Sequence, residues 1–366
     1  MSEQITILRE DGAAWDARLA RAYAEGHFDD LPFTQRAAWS ESKRFTGWGS
    51  VRLVATLPSG AWAGAQFLLR SLPGPLGRLA YAPRGPIVSA VDPGEAAELR
   101  AALLGALRTL RADGVSAVRI ELGTSVVIDA EGDVVHPPLA LTGGLRDVWH
   151  TAARAAGVRL HAALPIQPSS SRRIDLRGGV EMVRAAWRSK WRQYARQAAT
   201  DGVSVRVGGA ADVHALTSVL EAIGVRTGIQ IRSGDALATM MDAFGDRAEL
   251  AIAEGAASAT DTASVVLGAL LVLRTESGST ELFGGATDRG NELRAPYALK
   301  AHAIERAAAQ GGSWYDMWGL ATPGIAHFKA GWGGEVHAYP GALDLDVNPL
   351  RGPLVRLALK ARRLSA

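Results

Sequence analysis

The chain has no cysteine in its 366 residues. That excludes a disulfide framework, a thiolate metal site and a cysteine nucleophile. Its eight histidines include no HExxH and no HxH, so spacing suggests no set of metal ligands, and neither a metal nor another cofactor is expected. GxSxG, a Walker A loop and a GxGxxG following a strand are also missing, which removes the common hydrolase, nucleotide-hydrolase and dinucleotide readings. No apolar run approaches the roughly 18 residues of a spanning helix. The start, MSEQITILRED, has neither the basic nor the apolar region of a leader. The expectation is therefore a cytoplasmic protein.

What is present is a globular composition, 48% hydrophobic and 21% charged, at a length suited to two domains. Net charge is only +3, yet the basic side chains are arginine-heavy, which fits either a polyanionic partner or simply an Ala/Gly-rich chain. Leu8 to Ala24 has the pattern of an amphipathic helix, and a second short helix carries Trp39 and Lys43. Val51 to Leu57 and Ala61 to Leu69 flank a Pro-Ser-Gly turn as a hairpin. YAPRGP, Tyr81 to Pro86, should break the sheet. A long helix from Glu95 to Ala112 then precedes the strand Val115 to Leu122, whose end carries Arg119 and Glu121. Pro137 to Pro168 looks like a looser crossing between domains. The second half repeats this order, with strands Ser264 to Arg274 and Thr280 to Gly285, a helix from Pro296 to Ala309, and a strand from Trp314 to Leu320. Recurrence of element order without a shorter period indicates a duplicated mixed α/β unit.

Trp314 to Gly341, WYDMWGLATPGIAHFKAGWGGEVHAYPG, concentrates aromatics and glycines around one lysine. After the strand, a loop and turn should present Lys329. Its ammonium is either a solvated surface charge or part-buried among Phe328, Trp332 and glycines that let a backbone approach a ligand. From Val180 to Ala199, Arg184, Arg188, Arg192 and Arg196 recur every fourth residue along one helix stripe beside Trp187, Trp191 and Tyr194. They are either the solvated face of an amphipathic helix or a phosphate-binding row. The tail from Leu350 to Ala366, apolar with Arg351, Arg356, Lys360, Arg362 and Arg363, suits an anionic membrane surface or packing on the first domain. With no nucleophile elbow or cofactor loop, direct attack of an amine in acyl transfer becomes a natural candidate, because it needs position and charge more than a covalent residue.

FKAGWGGE, with YDMWGL before it and YPG after it, resembles the signature of the FemABX family of aminoacyl-tRNA-dependent transferases that build peptidoglycan cross-bridges. Collinear matches extend along nearly the whole chain: the Trp39 to Lys43 spacing, YAPRGP, the Arg119 to Glu121 strand end, RSKWRQYARQAATDGVSV, Arg226 in VRTG, and APYA with Tyr297. The resemblance implies an α/β (α+β) chain of two GNAT-like domains, each a mixed twisted sheet flanked by helices, spanning 1–165 completed by 342–366, and 166–341. It implies aminoacyl-tRNA as donor and a peptidoglycan precursor as acceptor; a monomer is expected, and the basic tail suits peripheral contact at the inner membrane face. Lys329 matches the essential lysine, Lys43 and Arg226 the positions that grip the acceptor diphosphate, and Tyr297 and Asp316 further substrate-binding positions. Glu121, where the family often has aspartate, would orient or deprotonate the attacking amine, or else pair with Arg119 as a structural carboxylate. Trp318 stands where glycine is common. The long coiled-coil arm of some members is missing between Asp201 and Gly255, leaving the Arg184 to Arg196 stripe as the candidate tRNA contact. Competing expectations are an acyl-CoA-dependent N-acyltransferase and a non-catalytic RNA- or membrane-binding module.

Overall fold

The computed structural model describes residues 5–128, 142–227, 232–258 and 263–364, without the side chains of 226–227 and 362–364. It separates into unit 1, Met1–Val127, His136–Ser169 and Ala338–Ala366, and unit 2, Ile128–Val135 and Ser170–His337.

Unit 1 opens with β1 (Thr6–Arg9), α1 (Gly12–Ala24) and α2 (Ala37–Arg44), followed by β2 (Gly49–Thr56), β3 (Trp62–Ser71), β4 (Arg78–Pro83), β5 (Ile87–Val88), α3 (Pro93–Ala106) and β6 (Val115–Glu121). After the short β7 (Val126–Ile128) come α4 (Gly143–Ala155) and β8 (Leu160–Ala163). In unit 2, β9 (Ser170–Asp175), α5 (Gly179–Ala186), α6 (Ser189–Thr200), β10 (Ser204–Gly208), α7 (Val213–Thr227) and α8 (Gly234–Phe244) lead to β11 (Ala248–Ala256), β12 (Ser264–Arg274) and β13 (Gly278–Ala286). Next are α9 (Asp288–Glu292), α10 (Ala295–Ala309), β14 (Trp314–Gly319), α11 (Pro323–Ala330) and β15 (Glu335–Ala338). The chain then returns to unit 1 with β16 (Ala342–Asp346) and α12 (Arg351–Leu364).

The sheet of unit 1 runs β1-β2-β3-β4-β6-β16-β8, and β5 pairs with β3. Unit 2 runs β10-β11-β12-β13-β14-β9-β15. Each sheet is mixed, with a parallel pair at the corresponding place, β4 with β6 and β13 with β14. A parallel pair cannot be closed by a hairpin, and here α3 and α10 supply the crossovers. Both faces of β6 are covered, so all seven of its residues are buried. The core of unit 1 joins Phe67, Leu103, Leu110, Val118, Ile120 and Leu343. That of unit 2 joins Leu267, Leu299, Ile304, Tyr315, Met317 and Trp332. Burying each large apolar side chain contributes roughly 1.5–3 kcal/mol.

Several local expectations need correction. Thr6–Arg9 pairs with β2 as a strand, and α1 begins only at Gly12, where the Asp11 side chain accepts the Ala14 N–H at 2.8 Å. Tyr81 to Pro83 belong to β4, and the break comes at Arg84, whose φ is +54°. The helix begun at Pro93 tightens to a 3₁₀ turn from Leu107 to Asp113. Of the supposed crossing from Pro137 to Pro168, residues 137–141 lie outside the described residues, while α4 and β8 fold into unit 1. Trp149, Ala152 and Ala153 form the buried face of α4.

The helix read from Val180 to Ala199 is two helices. Trp187 takes an extended ψ of 143° to bury its indole edge-on against Trp332, at 4.8 Å between ring centroids. Arg188 becomes the residue that caps α6. The break interrupts the arginine row, and Arg192 turns back to donate to the carbonyls of Arg184, Ala185 and Trp187 at the end of α5.

Candidate active site

The site is built around the end of β14. Tyr315 and Met317 alternate into the core, both fully buried. Trp318 then adopts a left-handed φ of +57°, held by its N–H donating to Asp316 Oδ1 at 2.6 Å. This conformation is costly for a side chain with a Cβ, which accounts physically for glycine as the common residue at such a position. Pairing with β9 slips between Asp316 and Gly319. The Met317 and Gly319 carbonyls on either side of Trp318 are taken by Lys329: its Nζ donates to both, at 2.9 Å for Gly319.

Lys329 reaches them from α11, not from a loop. Thr322 caps that helix by accepting the Ile325 N–H at 3.3 Å, and Pro323 suits its first turn. The lysine falls in the last turn, where the helix dipole favours a cation. Neighbouring glycines serve internal packing instead of ligand approach. A Cβ on Gly331 would lie 2.3 Å from the Trp191 indole, and one on Gly334 would lie 2.2 Å from the Arg173 carbonyl oxygen.

Beneath Lys329 lies a charged cluster. Glu281 of β13 accepts from Lys300 Nζ and, at 3.0 Å, from the Tyr315 hydroxyl, while Lys329 Nζ stands 3.6 Å from its other oxygen. Side-chain exposure is 7% for Glu281, 6% for Lys300 and 12% for Lys329. Burial pulls the Lys300 ammonium down to about 8 against the opposing pull of Glu281. Burial and then the Glu281 charge raise the Tyr315 phenol well above its ordinary range. Aromatic rings enclose the cluster: Tyr297 sits edge-on to Phe328 at 5.3 Å and to Trp191 at 5.5 Å. The Trp191 indole N–H donates to the Phe328 carbonyl at 3.0 Å, tying α6 to α11.

An ammonium has three donors and no acceptor. Here two are satisfied by carbonyls, and the Glu281 carboxylate stands 3.6 Å away. The arrangement is suited to a fixed positive charge for a developing anion, not to proton abstraction by Lys329. Among the described residues no cluster of His, Asp and Glu could hold a metal ion.

The FemAB family profile matches residues 146–256 and 254–360, more than half of the sequence. The chain belongs to the FemAB family. Among solved structures, the crystal structure of FemX aligns with a TM-score of 0.75 at 17% identity, covering 97% of this chain and 100% of that one. A tandem GNAT protein from the clavulanic acid biosynthesis pathway aligns with a TM-score of 0.51 at 13% identity, covering 94% and 99%. A conserved protein of unknown function from Bacteroides thetaiotaomicron gives 0.53 at 10%, covering 94% and 100%. At these identities the likeness is one of fold: two mixed sheets flanked by helices. No curated protein sequence matches.

The other residues singled out by the FemAB resemblance divide between the units. In unit 2, Tyr297 is half-buried among Trp191, Tyr194 and Phe328 close to Lys329. Asp316 is buried and occupied, accepting from Arg173 at 2.9 Å, Ser171 at 3.2 Å and Trp318, so it pins the strand end. Arg184 is paired with Glu305 at 2.7 Å and Glu181 at 3.1 Å. Arg188 and Arg196 are exposed on or beside α6, Arg188 lying 3.4 Å from the His327 ring nitrogen. The side chain of Arg226, in α7, lies outside the described residues.

In unit 1, Lys43 is buried on α2 with its ammonium 3.6 Å from the centre of the Trp39 ring. Glu121 is fully buried at the end of β6 and accepts from the Tyr81 hydroxyl at 2.7 Å and from the Ile166 and Gln167 N–H groups at 3.1 and 2.8 Å. Its supposed partner Arg119 instead makes a two-pronged pair with Asp344 across β6 and β16, at 2.7 and 2.8 Å. Sequence reasoning missed Glu281, Lys300 and Tyr315. The one available signal was a glutamate and a lysine within otherwise apolar strand and helix faces.

Proposed function

We propose that this FemAB-family chain is a non-ribosomal peptidyltransferase that moves an amino acid from aminoacyl-tRNA to the side-chain amine of a peptidoglycan precursor, lipid II or UDP-MurNAc-pentapeptide, in cross-bridge synthesis. The observation that carries the reading is the Lys329 ammonium, part-exposed and locked by two strand-end carbonyls above Glu281. The acceptor amine attacks the ester carbonyl, forming the C–N bond, and charge gathers on the carbonyl oxygen, where Lys329 stabilises it. Collapse breaks the ester C–O bond, and the amine proton passes to the departing ribose oxygen. Lys43 and Arg226 serve as cations for the acceptor diphosphate, and Tyr297 as a wall beside the reacting ester. Glu121, with its oxygens already taken by three donors, acts by positioning Tyr81 and the 166–167 backbone. Exposed Arg188, Lys190 and Arg196 of the α6 region are the proposed tRNA contacts. The donor makes the cytoplasm the site of reaction.

Aminoacyl-tRNA is favoured over acyl-CoA by the segment between β13 and α10. A pyrophosphate cradle needs a glycine-rich turn with free N–H groups. Here α9 fills the segment, Gly290 packs so tightly that a Cβ would lie 2.0 Å from the Leu267 carbonyl oxygen, and Pro296 removes an N–H from the first turn of α10.

The test is Lys329→Ala in a transfer assay with charged tRNA and a lysine- or ornithine-containing precursor. Turnover should fall by roughly 10²–10³-fold, as for loss of one oxyanion donor, while acceptor KM stays within about threefold, since the charge acts mainly in the transition state. Near-normal kcat combined with a lower melting temperature would make the lysine structural and overturn the reading.

A further inference from the structure

Unit 1 holds a cavity of about 780 Å³ between α12, the β8–β9 connection and the turn before β16. Its apolar wall includes Leu164, Pro165, Ile166, Pro340, Leu357 and Leu359. Leu164, Ile166 and Leu357 are 51%, 45% and 66% exposed, and large apolar side chains clustered and exposed together mark an interaction site. Among the described residues four cations also line it, and two are neutralised: Arg119 by Asp344, and Arg356 by Asp346 at 2.9 and 3.0 Å. Arg146 at the start of α4 and Lys360 on α12 have no ion-pair partner among the described residues. Among the described residues Asp344 is the only acid in the lining, and it is already engaged. The sequence from Leu350 to Ala366 contains no acid at all.

An apolar chamber of this size with a few charged groups of one sign has the character of a small-molecule site. A sugar or a free nucleotide would leave the leucine wall wet, and a neutral lipid would leave the two cations without counter-charge. We propose that the cavity binds an anionic amphiphile, its hydrocarbon chain against Leu164, Ile166 and Leu357 and its phosphate or carboxylate head met by Arg146 and Lys360. The site goes beyond the transfer reaction and meets the residues assigned to it only at Ile166, whose backbone N–H is engaged by Glu121 while its side chain joins the wall.

Calorimetric titration of the full chain tests this with dodecyl phosphate below its critical micelle concentration, against inorganic phosphate and dodecyl maltoside as the head-only and chain-only probes. Dodecyl phosphate should bind at least ~10-fold more tightly than either, because only it satisfies both wall and cations. Arg146→Gln combined with Lys360→Gln should weaken it ~10-fold or more, the scale of losing charge-assisted contacts. Leu164→Glu, at a rim position 51% exposed, should do the same by placing an anion in the wall. Equal affinity for dodecyl maltoside, equal affinity for phosphate alone, or unchanged dodecyl phosphate binding in folded variants would each overturn the proposal.

Discussion

Replacing Glu281 with glutamine keeps the shape of the side chain and removes the anion shared by Lys300, Lys329 and Tyr315. A unit-charge pair at 3.6 Å is worth about 5 kcal/mol at an effective dielectric near 20, before desolvation is counted. Taking one partner from a buried pair generally costs roughly 3–5 kcal/mol. Lys300 limits that loss. Its ammonium sits near 8 even with Glu281 holding it up, so once the anion is gone it can give up its proton at pH 7 for at most about 1.4 kcal/mol. The expected destabilisation of Glu281→Gln is therefore about 2–4 kcal/mol, read from urea denaturation at pH 7. Adding Lys300→Met, which removes the stranded cation and fills its space with an apolar chain, should restore at least ~1 kcal/mol. A loss below about 0.5 kcal/mol, or no recovery in the double variant, would refute the idea that Glu281 neutralises the cluster.

Stability of the wild type relative to Lys300→Met should rise with pH between about 8 and 10. Lys300 is depressed in the fold, so the unfolded chain binds more protons in that window, with a slope of up to about 1.4 kcal/mol per pH unit. A flat difference across the window would contradict the burial assigned to Lys300. Lys43→Ala or Arg226→Ala should raise acceptor KM by about tenfold or more, the loss of one charge-assisted contact, and unchanged acceptor kinetics in both would remove them from the site. Lys329→Arg should rescue Lys329→Ala poorly in the transfer assay, because a planar guanidinium cannot sit between the Met317 and Gly319 carbonyls as a compact ammonium does; recovery to near wild-type kcat would show that charge without position is enough.

The architecture was legible where local pattern and tertiary role agree. The hairpin of β2 and β3 carries its own turn, β14 carries an apolar alternation, and the recurrence of strand, helix and strand in both halves predicts two mixed α/β units. Lys329 stood out because its glycine- and tryptophan-rich surroundings are rare. What stayed hidden depends on contacts distant in sequence. Trp187 breaks a helix with an intact period because its indole packs on Trp332, more than a hundred residues away. Glu281 and Lys300 look like ordinary strand and helix charges until β13, α10 and β14 bring them under Lys329. Glycines 331 and 334 suggested room for a ligand but accommodate Trp191 and the Arg173 backbone. The same limit applied to Glu121: two residues from Arg119 on one strand face, it is matched instead to Tyr81 on the neighbouring strand, while Arg119 finds Asp344 on β16.

Aminoacyl-tRNA as acyl donor and the side-chain amine of a peptidoglycan precursor as acceptor are tested together by transfer of a radiolabelled amino acid from charged tRNA to a lysine- or ornithine-containing precursor by the purified full chain, with RNase or acyl-CoA in parallel reactions. Labelled precursor should form only with intact charged tRNA, with loss of product on RNase treatment and none from acyl-CoA. RNase-insensitive transfer, or transfer from acyl-CoA alone, would contradict that assignment.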